Sequence, residues 1–277
     1  MSATIYAVIN QKGGVGKTTE TINLARVASN DLRRTLVIDA DAQGSLTGIL
    51  AADEVAADQL SFADILVGED IADVEVQGIW PSLTVIPGNQ NTNKATKQLH
   101  TEHGREYRLR EAVEKVRADY DLILIDCAPS LDLHTVNALT AADRAIVMTQ
   151  PGKFSLDGLS QLQQSFDSVQ KYYNPLLTVA GIVVNGVRNT IGHRNWVRDL
   201  EESTPWPMIG PYVPMRSLIQ DAQEAAYGLD QWTVEAKLAR ETYELYARHY
   251  GALEKIDLLR HLELAFPKHD FSSTEGL

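Results

Sequence analysis

The stretch Val8-Ile9-Asn10-Gln11-Lys12-Gly13-Gly14-Val15-Gly16-Lys17-Thr18-Thr19 brings two lysines and three glycines into a few residues. Glycines let successive backbone N–H groups turn inward where side chains would clash, and a helix opening directly behind them adds the positive end of its dipole. Such a loop cradles phosphates. Lys17 is then placed to reach the terminal phosphates and the Thr18 hydroxyl to bind Mg²⁺. Gln11, Lys12, Gly13, Gly14, Val15, Gly16, Lys17, Thr18 and Thr19 form the expected contact. The common pattern has a glycine six positions before its lysine; here Gln11 stands there, and a second lysine, Lys12, follows it. Two ammonium groups so close are unfavourable unless a multiply charged anion lies near both.

A nucleotide site also needs carboxylates for its metal and its water. Val37-Ile38-Asp39-Ala40-Asp41 runs from an apolar strand into a loop, and Leu122-Ile123-Leu124-Ile125-Asp126 is an apolar strand ending in an acid. Ligands of doubly wound sheets bind at the carboxyl ends of strands, so Asp126 and the Asp39/Asp41 pair are expected to converge on the phosphate loop. Either acid alone would equally fit a helix cap or a turn. Together with the loop, in this order, they point to one site.

The elements that must position these residues alternate. Apolar runs at Ile5–Ile9, Leu36–Ile38, Leu83–Ile86, Leu122–Ile125, Ala145–Met148 and Val179–Val184 read as strands. Helical periods lie between them at Thr18–Ala28, Glu106–Val116, Thr135–Ala142, Leu156–Val169 and Trp196–Glu202. This order predicts an α/β fold, one domain with a mostly parallel twisted sheet flanked by helices; with the phosphate loop between its first strand and first helix it reads as a single-domain P-loop NTPase fold. The domain is expected over 1–267, with a polar tail at 268–277. The proline-rich stretch Pro205–Pro214 reads as a loop around one short strand. Thr233–Phe266 reads as two helices divided at Gly251.

With 277 residues, 44% hydrophobic and 22% charged, the chain can bury one large core and is not of disordered or fibrous type. Cys127 is the only cysteine, so no disulfide or Cys-paired metal site can form within the chain, and a reducing cytoplasm is the expected setting. No run of about 18 apolar residues occurs, so no membrane span is expected.

Lys12-Gly-Gly-Val-Gly-Lys-Thr-Thr19 resembles the deviant phosphate loop of the ParA/MinD group of P-loop ATPases. Asp39-Ala-Asp41-Ala-Gln-Gly44-Ser45-Leu-Thr47 and Asp126-Cys-Ala-Pro129-Ser-Leu131 are similar to that group's switch segments, as is Thr135-Val-Asn137-Ala-Leu139. Pro151, the helix after Ser155, the strand ending Val184-Asn185 and Val213-Pro214 resemble the ParA branch in particular. The resemblance implies a homodimer that closes on two ATP molecules. It implies that Lys12 crosses to the partner's nucleotide while Lys17 serves its own. Thr18 would bind Mg²⁺ directly and Asp126 through water, Asp41 would orient the attacking water, and Asn185 and Pro214 would lie against the adenine. ATP and Mg²⁺ are thus the implied cofactors, nonspecific double-stranded DNA and a ParB-type centromere-binding protein the implied partners, and a cytoplasmic, nucleoid-associated place the implied location. Ala42 and Ala128 stand where relatives often have proline, Asp132 where glycine is common, and Leu218 near the position of a second arginine.

The phosphate loop lies close to the first residue, so the N-terminal helix-turn-helix domain of some larger relatives is not expected, nor site-specific operator binding. A net charge of −12 disfavours a surface that coats DNA as a whole. Between Ser168 and Arg198, however, Lys171, Arg188, Arg194 and Arg198 occur with no acidic residue. These four, with Arg216, are the expected DNA contacts. The competing expectation is a MinD-like membrane-associated ATPase using an amphipathic helix at Ala252–Phe266. That helix carries Glu254, Asp257 and Glu263 against Lys255 and Arg260, whereas interfacial helices are usually cationic. A packed core helix fits it better. A metallocluster carrier of the same fold would need a companion to Cys127.

Overall fold

The computed structural model describes residues 2–152 and 155–265, with side chains among them except at 93, 94, 96, 100, 155–157 and 258–265. The first half runs β1 (Thr4–Ile9), α1 (Lys17–Asn30), β2 (Thr35–Ala40), α2 (Thr47–Leu50), α3 (Phe62–Val67), α4 (Ile71–Val74), β3 (Val76–Gln77), β4 (Leu83–Ile86) and α5 (Thr92–Gln98). The second runs α6 (Arg108–Val116), β5 (Leu122–Cys127), α7 (Leu133–Ala141), β6 (Arg144–Thr149), α8 (Ser155–Tyr172), β7 (Thr178–Val184), α9 (Ile191–Ser203), α10 (Ser217–Glu224) and α11 (Ala236–Ala265).

Seven strands form one sheet in the order β3-β4-β2-β5-β1-β6-β7, parallel throughout except for β3. The inner strands are buried on both faces, which is why each reads as an unbroken apolar run. Alternate residues serve opposite cores. Tyr6, Val8, Leu122 and Leu124 pack beneath α1, α10 and α11, whereas Ile5, Ala7, Ile123 and Ile125 pack beneath α3 and α6–α9. Register then fixes the chemistry. Asp39 stands opposite Asp126, and Asp126 opposite Val8, so both acids reach the end of the sheet from which β1 enters the phosphate loop.

Two expectations are corrected. α11 is continuous through Gly251, not two helices. A helical glycine costs about 1 kcal/mol relative to alanine, but Tyr246, Tyr250 and Leu253 are buried around it and keep the helix seated on α1. Leu253 and Ile256 pack into the core beneath α11, and Asp257 accepts from Tyr6 Oη at 2.8 Å and pairs with Arg144. The start of the segment proposed for a membrane helix is therefore docked on its own sheet. Phe266 and the tail at 268–277 lie outside the described residues. The second correction concerns Pro205–Pro214, which forms no strand. It follows the outer side of β7 with single bridges at Met208 and Pro214, because prolines cannot donate to a ladder.

Candidate active site

The phosphate loop turns on Gly14 and Gly16, with φ of 72° and 99°, a region that other residues enter at a cost. Gly16 is the N-cap of α1 and brings no capping side chain, so the first-turn N–H groups face the loop's interior open to an anion. Amide side chains at strand ends hold the loop in place. Asn185 Nδ2 donates to Val15 O at 2.9 Å, Gln150 Nε2 to Gly14 O at 2.9 Å, and Asn10 Nδ2 to Met148 O, while Lys12 N donates to Asn10 Oδ1 at 2.8 Å. A Cβ at Gly16 would collide with the Asn185 amide. Asn10 and Gln150 escaped sequence reasoning; their signal was an amide directly after an apolar strand.

Lys17 is buried at the start of α1, whereas Lys12 is exposed on the loop. Thr18 Oγ1 donates to Asp126 Oδ2 at 2.6 Å. Asp126 is wholly buried, and its Oδ1 has no hydrogen-bond partner among the described residues. Burial, reinforced by the charges of Asp39 and Asp41, pushes its carboxyl up to about 8. A buried carboxyl with an unpaired oxygen beside a threonine hydroxyl offers two hard oxygens, and Mg²⁺ is bound by few protein oxygens together with phosphates. The donor set fits that ion.

Asp39 and Asp41 differ. Asp39 is buried, and its carboxylate accepts from Thr47 N at 2.8 Å, Thr47 Oγ1 at 2.7 Å and Asp41 N at 3.2 Å. Burial raises it to about 6 against those bonds. It anchors the loop after β2. Asp41 is half-buried on that loop, accepting from Gln43 N at 2.9 Å. Gly88 closes against the same turn: a Cβ there would lie 2.6 Å from Asp39 O and 2.7 Å from Asp41 O. Cys127 is buried, and burial pushes its thiol far up, as expected of an inert core residue.

The five expected cationic contacts separate in space. Arg188, Arg194 and Arg216 line one groove of about 440 Å³ with Tyr212, Pro211 and Pro214. Arg216 Nη1 also donates to Leu238 O at 3.3 Å and to Thr242 Oγ1, which pins it between α10 and α11. Arg198 is exposed and lies 4.0 Å from Glu202. Lys171 does not join them. It ends α8 where β7 begins, and Arg188 follows the far end of β7, roughly 20 Å away at about 3.3 Å per residue. The strip that is continuous in sequence is broken by that strand. Pro214 sits in the arginine groove, and Asn185 on the phosphate loop beside it.

The model of the AAA domain family matches residues 3–179. The chromosome partitioning protein ParA of Caulobacter vibrioides is 40% identical over 183 residues, 65% of this chain and 68% of that one. The sporulation initiation inhibitor protein Soj of Bacillus subtilis is 40% identical over 181 residues, covering 65% and 71%. Among solved structures, a cobyrinic acid a,c-diamide synthase from Mycobacterium smegmatis, with bound ATP analog and magnesium, superposes at TM-score 0.72 and 32% identity over 82% of this chain and 94% of that one. The two-lysine phosphate loop, the parallel sheet that carries it and these relatives lead to one assignment: the chain belongs to the ParA-type branch of the AAA domain family of P-loop ATPases.

Proposed function

We propose that the chain is a DNA-partition ATPase whose ATP-bound homodimer holds nonspecific double-stranded DNA and lets go after hydrolysis stimulated by a ParB-type partner. The observation that carries this reading is the pairing of Lys12 and Lys17 on one loop above the Thr18–Asp126 contact. ATP and Mg²⁺ are the cofactors. When bound, Mg²⁺ would supply charge neutralisation at the phosphates.

The chain's own residues position and stabilise. The N–H groups of Gln11–Thr19 wrap the phosphates, with the Lys17 ammonium on the terminal ones. The Thr18 hydroxyl and the Asp126 carboxyl would hold the metal. Asp41, on a loop anchored by Asp39, orients the attacking water. Lys12, exposed at the rim, serves the partner's nucleotide. Asn185 and Pro214 flank the base. Because hydrolysis needs the partner's Lys12, turnover is tied to dimerisation, and ATP acts as a timer on DNA binding. Arg188, Arg194 and Arg216 take the DNA phosphates, with Arg198 at the margin. The ATPase domain spans 1–267, and its setting is the nucleoid in the cytoplasm. No helix among the described residues is long and apolar enough to cross a membrane.

Retention of the purified protein on nonspecific DNA at low salt, with ATP, ADP or no nucleotide and with anionic liposomes in parallel, tests this reading. ATP-dependent DNA retention without liposome retention is expected, and Lys12→Ala should bind ATP yet hydrolyse none. Liposome retention in place of DNA retention overturns the partition reading in favour of the MinD-like one. Unchanged turnover in Lys12→Ala removes the cross-subunit role.

A further inference from the structure

His249 lies in α11 with its ring fully buried and both ring nitrogens facing acceptors. Nδ1 is 2.8 Å from Glu20 Oε1, and Nε2 is 2.7 Å from Pro211 O. A backbone carbonyl only accepts, so Nε2 carries a proton. A second proton lies between Nδ1 and the carboxyl. Burial works against a charged ring here, but the Glu20 charge and the bonds to Glu20 and Pro211 outweigh it and raise the pKa above the ordinary histidine value. Tyr246 packs edge-on against the ring at 5.8 Å.

The bridge joins two parts of the site that the chain itself connects only through the whole fold. Glu20 stands in the first turn of α1, three residues after Lys17, and 229 residues from His249. Pro211 opens the segment that carries Pro214 and Arg216. Hydrogen bonds tie that segment to β7 and the turn after it: Val213 N to Val184 O at 2.9 Å, and Val187 N to Val213 O at 3.0 Å. The bridge links that segment directly to α1, beside the Asn185–Val15 bond. A buried ionic pair is poorly suited to adding stability, since apolar residues of similar volume often do as well or better. What His249 supplies that an apolar side chain cannot is a fixed register between helix and segment.

We propose that His249 is a positioning residue: by binding Glu20 and Pro211 O together, it holds the Pro211–Arg216 segment, with its base-contacting Pro214, at a set distance from the phosphate loop. The inference rests on the nucleotide reading above.

Full-length protein is compared by calorimetric titration with ATP and GTP, steady-state hydrolysis, and thermal melting by circular dichroism. Glu20→Gln can keep both contacts, because its amide donates to Nδ1 while Nε2–H still donates to Pro211 O, so ATP affinity within about threefold of wild type is expected. His249→Leu leaves the Pro211 carbonyl without its donor. It should raise KM for ATP about tenfold or more, leave kcat within about twofold, and erode the preference for ATP over GTP. His249→Gln, which restores a donor to Pro211 alone, should fall between them. A folded His249→Leu with wild-type KM and base preference overturns the inference, as does a Glu20→Gln as impaired as His249→Leu. If His249→Leu does not fold, a wild-type KM and base preference in His249→Gln overturns it and a raised KM upholds it. Wild-type protein that binds neither nucleotide overturns the nucleotide reading and the inference with it, an outcome distinct from any confined to the variants.

Discussion

Asp39 and Asp126 stand side by side on adjacent strands, yet their surroundings give them different work. Asp39 is saturated by Thr47 and the Asp41 backbone, whereas Asp126 keeps a buried oxygen with no partner among the described residues. A buried carboxyl with one oxygen left unsatisfied costs stability. Asp126→Asn is therefore expected to leave the thermal midpoint of the metal-free protein unchanged or higher. It should cut Mg²⁺-dependent hydrolysis by about 100-fold or more. A melting curve and a phosphate-release assay on the same preparation check both halves. A variant that melts lower and hydrolyses normally would place Asp126 among the structural acids.

The helices and strands were legible where their pattern was long. β4 matches its expected limits, β1, β5, β6 and β7 extend theirs by one or two residues and β2 by three, because two buried faces force continuous apolar runs. α2, α4 and β3 span two to four residues, too few for any period to emerge. Gly251 misled for a different reason: its local penalty is real, but packing along α11 decides the outcome. Gly251 is exposed, with nothing within 4 Å of a Cβ built there. Gly251→Ala should thus stabilise by about 0.5–1 kcal/mol, raising the midpoint by about 1–4 °C in a thermal melt. Within the site, the spacing of Lys12, Lys17 and Thr18 was readable because it is local. The Asn185–Val15, Gln150–Gly14 and His249–Glu20 contacts were not, since each joins residues more than a hundred positions apart.

For the molecule as a whole, the acidic balance of −12 coexists with one arginine groove rather than a continuous basic strip. Phosphate binding that depends on few cations is modest and salt-sensitive. Arg188→Ala and Arg194→Ala should each weaken DNA retention and reduce the slope of log affinity against log salt by about 1. Lys171→Ala, at the opposite end of the sheet, should change neither. Equal losses from Lys171→Ala would mean that DNA wraps the flank of α8 and α9. The path of Pro205–Pro214 beside β7 bears on assembly. One border of the sheet is already covered by the Pro205–Pro214 segment, which bonds to β7 at Ile182 and Val184, and the other ends in the two-residue antiparallel β3. Neither border offers a template for strand addition. Among the described residues, the surfaces left for contact between copies are helices and loops, which can part again more readily than an extended sheet.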